Sequence, residues 1–134
     1  MNRKEARENA FILLFEAGLK NDETAEEIFE KATGVRALEC DEFVKTVFFG
    51  TTQNLKVIDE AIEKSLIGWK SKRLSFVSRA VLRLAVYEMM FIPDIPAKVS
   101  INEAIELSKK YDDEKAYMLV NGSLNAVAEA LSIK

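Results

Sequence analysis

From Arg3 to Leu19 the residues Ala6, Ala10, Leu13, Leu14 and Ala17 recur three and four apart, predicting an amphipathic helix with one apolar stripe. Phe11 and Phe15 lie on a neighbouring face, one turn apart. Thr24 and Glu27 stand at capping-box spacing and predict a short helix that ends before Gly34. A long helical region follows from Asp41 to about Leu66, with Phe43, Val44, Val47 and Phe48 serving its first half and Leu55, Ile58 and Ile62 its second. Between them "GTTQN", Gly50 to Asn54, is a poor helix former and predicts a break or kink.

From Ser75 to Phe91 the pattern is apolar over most of the helix girth, with Val77, Ala80, Val81, Leu84 and Ala85 on the buried side; this is expected to be the central helix. "IPDIPAKV" holds both prolines and predicts an extended connection, because each proline disfavours helix at the residue before it. Ser100 and Glu103 have capping-box spacing, so a helix is expected to start at Ser100 and reach about Tyr111. "DDE", Asp112 to Glu114, is expected to open the last helix, with its stripe at Ala116, Val120, Leu124, Val127 and Leu131. No strand alternation or internal repeat is present. The fold class is all-α, with six or seven helices.

Composition narrows the function classes. The 134 residues fit one domain, 49% hydrophobic and 31% charged, as in ordinary globular proteins. The single cysteine, Cys40, makes no internal disulfide. "FILLF" is too short for a signal-peptide core and no apolar run would span a bilayer, so a cytoplasmic protein without membrane partners is expected. There is no histidine, which removes histidine-based triads and histidine-ligated zinc. One cysteine and no histidine leave no zinc-ligand cluster, while carboxylate chemistry and magnesium binding stay open.

Charge is segregated although the net value is only −3. Asp22 to Glu42 holds eight acidic residues against Lys31 and Arg36. Lys64 to Tyr87 holds Lys64, Lys70, Lys72, Arg73, Arg79 and Arg83 and no acidic residue; Arg3, Lys4 and Arg7 add a basic N-terminal turn. A basic surface on an acidic protein suits a nucleic-acid phosphate backbone; the competing reading is a solvated face. Phe11, Phe15 and Trp69 lie close in sequence to these cations, and aromatic faces beside basic side chains suit the stacking of unpaired bases, although packing in the core accounts for Phe11 and Trp69 as well.

Glu103 and Glu106 share a helix face and raise the question of acid/base chemistry. Capping explains Glu103, and Glu106 is placed to pair with Lys109 or Lys110. No glycine-rich loop, nucleophile elbow or aspartate cluster accompanies them, so no catalytic residue is assigned. Gly122 in "VNG" suggests close approach of another helix, with Asn121 and Asn102 bonding across the contact or reaching a ligand.

"RAVLRLAVYEM" (Arg79 to Met89), "IPAKVSINEAIELSKKY" (Ile95 to Tyr111) and "VNGSL" (Val120 to Leu124) together resemble the NusB family of transcription antitermination factors. "ARENAFILLFE" and "FVKTVFFGTTQNLKVID" resemble the same family, in order and over nearly the whole chain. The resemblance implies an all-helical RNA-binding domain over 1–134, made of two packed helical subdomains at about 1–67 and 68–134, with no catalytic activity and no cofactor. It implies binding of boxA-type single-stranded leader RNA together with NusE, a small-subunit ribosomal protein, within the antitermination complex of RNA polymerase. Some members self-associate, so a homodimer is among the implied partners.

In the family, RNA contacts come from a basic N-terminal segment, an aromatic on the first helix and residues near the start of the last. Here those positions are Arg3, Lys4 and Arg7, then Phe15, then the region of Glu114, Lys115 and Leu119. With Lys70, Lys72 and Arg73 of the basic run they make up the candidate RNA-binding set. Arg7→Glu is accordingly expected to weaken RNA binding and leave NusE binding intact. Glu5 and Glu8 interrupt the basic segment, Leu119 stands where an aromatic is common and Ala116 where a serine is, which implies modest intrinsic affinity. Arg83 and Glu88 suit structural pairing and ligand contact equally.

Two further readings compete with this one. The NusB-like domain of ribosomal RNA cytosine methyltransferases precedes a methyl-donor domain, and a chain closing at Lys134 is expected not to be one of those enzymes. The other is a helical protein-binding adaptor without RNA specificity, which would bind its partner with little dependence on salt.

Overall fold

A computed structural model describes residues 1–20, 22–68 and 74–133. Among them are seven α-helices and no strand: α1 (Arg3–Leu19), α2 (Ala25–Glu30), α3 (Glu42–Gln53), α4 (Leu55–Ser65), α5 (Phe76–Phe91), α6 (Ala97–Tyr111) and α7 (Ala116–Ala130). None of these helices is long and apolar enough to cross a membrane.

The helix starts follow local chemistry. Asn2 caps α1 through the Glu5 amide, and Glu5 reaches back to the Asn2 amide, each closing an orphan donor of the first turn. Thr24 and Glu27 form the expected box on α2. That helix does not stop before Gly34: it widens into a π-helical turn over Lys31–Val35, closed by the Arg36 amide on the Lys31 carbonyl. Asp41 and Ser75 cap α3 and α5. The expected break falls at Asn54, whose side-chain amide donates to the Gly50 carbonyl at 2.7 Å.

α5 is the centre of the fold and packs against α1, α3, α4, α6 and α7. Ten of its residues are buried, among them Val81, Leu82 and Val86 at 0% exposure, as its nearly unbroken apolar girth requires. Val77, expected on the buried side, is half-buried. α3 approaches α5 closely at Gly50: a Cβ there would stand 2.3 Å from the Tyr87 hydroxyl oxygen, so the glycine accommodates the neighbouring ring. α2 is tied to α3 by aromatic contacts, Phe29 lying 6.3 Å from Phe48 and 5.0 Å from Phe49 between ring centroids.

Two expected helix starts are corrected. α6 begins at Ala97 with Pro96 before it, three residues earlier than the Ser100 start. Proline's fixed φ suits a helix entrance, and Ser100 is buried inside the helix with its hydroxyl donating to Glu88 rather than capping. α7 begins at Ala116, because Asp113 accepts hydrogen bonds from the Lys115 and Ala116 amides, both at 3.0 Å, and so holds the turn before it. Asp112 instead ends α6 and accepts from the hydroxyls of Ser75 and Ser78. Asn102 and Asn121 are both exposed, and Asn121 is bonded by Asn125 of its own helix, so the expected bridge across Gly122 is not among the described hydrogen bonds.

Candidate nucleic-acid interface

The N-terminal cations lie on one helix but have different environments. Lys4 is exposed, and its ammonium stands 3.9 Å from Glu103 on α6, a long and solvent-screened pair. The Arg3 guanidinium lies 4.0 Å over the Phe43 ring of α3. Arg7 is only 6% exposed. Its Nε donates to Glu88 Oε2 at 2.9 Å and its Nη2 to Oε1 at 3.1 Å, while the Ser100 hydroxyl donates to Oε1 at 2.7 Å.

The assignment of Arg7 as an RNA contact is therefore corrected. Its fork is spent on a carboxylate itself 1% exposed, and it joins α1, α5 and α6 from inside. The expectation for Arg7→Glu changes with it, because that substitution would face a second carboxylate with no cation between them. Arg83 is likewise structural: it donates from Nε and Nη2 to Asp59 of α4, at 2.9 and 2.8 Å.

Phe15 is half-buried, its ring 6.1 Å from Phe11, which is core at 2% exposure. Phe11 in turn lies 5.0 Å from Tyr111 at the end of α6, so an aromatic row crosses from α1 to α6. Glu114 and Lys115 are exposed on the α6–α7 connection that follows Tyr111, and Leu119 is half-buried against the core. The structure thus brings Lys4, Phe15 and the α6–α7 connection to neighbouring elements. Lys70, Lys72 and Arg73, with Trp69, lie outside the described residues.

A groove of about 320 Å³ runs between α1 and α6, lined by Lys4, Arg7, Glu8, Glu103, Glu106, Leu107, Lys109 and Lys110. Sequence reasoning offered the exposed edge of Val99–Tyr111 as a partner surface but missed Glu8 and the contacts that Lys110 and Tyr111 make with it. Lys110 turns across to α1, its ammonium 2.5 Å from Glu8 Oε2, instead of pairing with Glu106; Lys109 sits 4.8 Å from the centroid of the Tyr117 ring. The Tyr111 hydroxyl donates to the same Glu8 oxygen. These donors hold the Glu8 carboxyl below its ordinary range, Lys110 contributing most, and Glu8 holds the Lys110 ammonium above its own. Burial, and then Glu8, push the Tyr111 phenol up. "SKKY" in the last helical turn is a local hint of a surface, but its partner on α1 lies 102 residues from Lys110 in the chain.

The groove lining carries four cations and three carboxylates, and its two α6 glutamates differ: Glu103 looks to Lys4, while Glu106 is exposed. Residues 4–129 match the NusB family model. The chain belongs to the NusB family.

Its curated relatives include the transcription antitermination protein NusB of Bacillus licheniformis, 41% identical over 131 residues, covering 98% of this chain and 99% of that one. Among solved structures, T. maritima NusB superposes with a TM-score of 0.83 at 38% identity, covering 96% of this chain and 92% of that one. The NusB of a crystallised complex of antitermination factors NusB and NusE with double-stranded RNA superposes equally well, at 33% identity and 96% coverage of both chains. The NusB family is one of antitermination factors, not of enzymes.

Proposed function

We propose that this NusB-family chain is a cytoplasmic, non-catalytic antitermination factor that binds boxA-type leader RNA together with NusE and so promotes read-through by RNA polymerase in ribosomal RNA operons. The observation that carries the proposal is the full-length likeness to a NusB solved with NusE and RNA. The exposed Lys4 and Lys115 and the half-buried Phe15, on α1 and the α6–α7 connection, support it. In this reading the two lysines meet phosphate and Phe15 offers its ring face to an unpaired base. Lys70, Lys72 and Arg73 extend the cationic set, and Glu114 and Leu119 flank it. Arg3 contributes beside Phe43, and Arg7 only by shaping the scaffold.

Salt dependence tests the reading against a protein-binding adaptor. Each phosphate neutralised on a single strand contributes a slope of about −0.7 to the dependence of log affinity on log salt. Titration of boxA-type RNA into the chain with NusE is expected to give a steep slope, shallower by about 0.7 in Lys115→Gln if that lysine contacts a phosphate. A flat response would favour the adaptor.

A further inference from the structure

The cations nearest the α1–α6 groove are not equally available. Arg7 is consumed by Glu88, and Arg3 lies over Phe43. Lys110 is exposed, yet Glu8 of α1 takes its ammonium at 2.5 Å and accepts the Tyr111 hydroxyl on the same oxygen. The Tyr111 ring, 39% exposed, lies 5.0 Å from Phe11, a contact that helps to aim its hydroxyl at Glu8. An arriving phosphate would have to displace a tethered carboxylate that is already in place, and then sit beside its negative charge.

We propose that Glu8 masks Lys110: its carboxylate occupies the Lys110 ammonium and the Tyr111 hydroxyl, removing one phosphate contact from the RNA-facing surface. The inference rests on the RNA-binding reading above and adds a specificity role to it. Phosphate contacts supply affinity without sequence information. A chain that withholds one lowers its binding to arbitrary RNA, and base contacts then decide a larger share of the outcome. Glu8 is in this sense a specificity-determining residue that touches no RNA.

The test uses the full chain and a fluorescent single-stranded oligouridine, titrated across a salt series with wild type, Glu8→Gln, Lys110→Met and the double variant. Glu8→Gln keeps the side-chain shape and an acceptor for Tyr111. It is expected to tighten oligouridine binding about two- to fivefold at low salt, the range of one exposed charge contact. Its salt slope should steepen by about 0.7. Lys110→Met leaves the Glu8 carboxylate unpaired and should weaken binding by no more than about the same two- to fivefold, and the double variant should return to about the wild-type affinity.

An unchanged slope in Glu8→Gln, or a gain that survives in the double variant, overturns the mask. So does an affinity loss in Lys110→Met well beyond about fivefold, which would mark Lys110 as a direct phosphate contact, and that arm decides the matter even if Glu8→Gln fails to fold. Failure of the RNA reading looks different: wild type with NusE would then show no binding to boxA-type RNA at any salt.

Discussion

Arg7→Ala is expected to destabilise the chain by about 3–5 kcal/mol, because it leaves the Glu88 carboxylate buried without its cation. In a domain of this size that corresponds to a fall in melting temperature of roughly 10–18 °C. The Ser100 hydroxyl would remain as a donor to Glu88, and one neutral hydrogen bond offsets only about 1 kcal/mol of that loss. Removing both charges should cost less than removing one. Arg7→Met with Glu88→Leu replaces the pair by apolar groups of similar size and is expected to recover most of the stability. Urea unfolding of the three chains checks this. If Arg7→Ala lost less than about 1 kcal/mol, the pair would behave as a solvated surface bridge, and Arg7 would return to the list of RNA contacts.

Phe48→Ala is the other large effect, expected at about 3–5 kcal/mol. Phe48 is fully buried, and its ring lies 6.3 Å from Phe29 and 5.0 Å from Phe49. Truncation removes the ring's burial, opens a cavity and forfeits two aromatic contacts, one to Phe29 across the α2–α3 seam and one to Phe49 within α3. Phe49→Ala, at a half-buried position, should cost clearly less, since water can enter as the ring leaves. Urea midpoints at a constant m value measure both. Equal losses at the two positions would show that the cluster relaxes as a unit instead of resting on Phe48.

The contrast between Arg7 and Phe48 shows what the chain discloses when read as a string. Phe48 lies with Val44 and Val47 on an apolar face, and its burial follows from spacing alone. Arg7 stands in a basic run and reads as surface, yet it is three and four residues before Ala10 and Phe11, on the buried side of α1. That register was the available signal. Its partner, 81 residues away and the one acidic residue of α5, could be assigned only once the helices were placed together.

The capping boxes teach the same lesson. Thr24 and Glu27 cap as their spacing says, because nothing else competes for the threonine. Ser100 and Glu103 have the same spacing, but Pro96 opens the helix earlier and Glu88 claims the serine hydroxyl. Tertiary demand overrode local pattern there. The helices were legible from periodicity; the groove between α1 and α6 was not, since contacts such as Glu8 with Lys110 and Tyr111 join opposite ends of the chain.

Sequence-selective RNA binding with NusE is the property on which the proposed function depends most directly. Fluorescence anisotropy with boxA-type RNA and a scrambled RNA of equal length, each titrated with the chain alone and with NusE, measures it. Tighter binding of boxA-type RNA, strengthened by NusE, is the predicted result. Equal affinity for the two RNAs in the presence of NusE would contradict it.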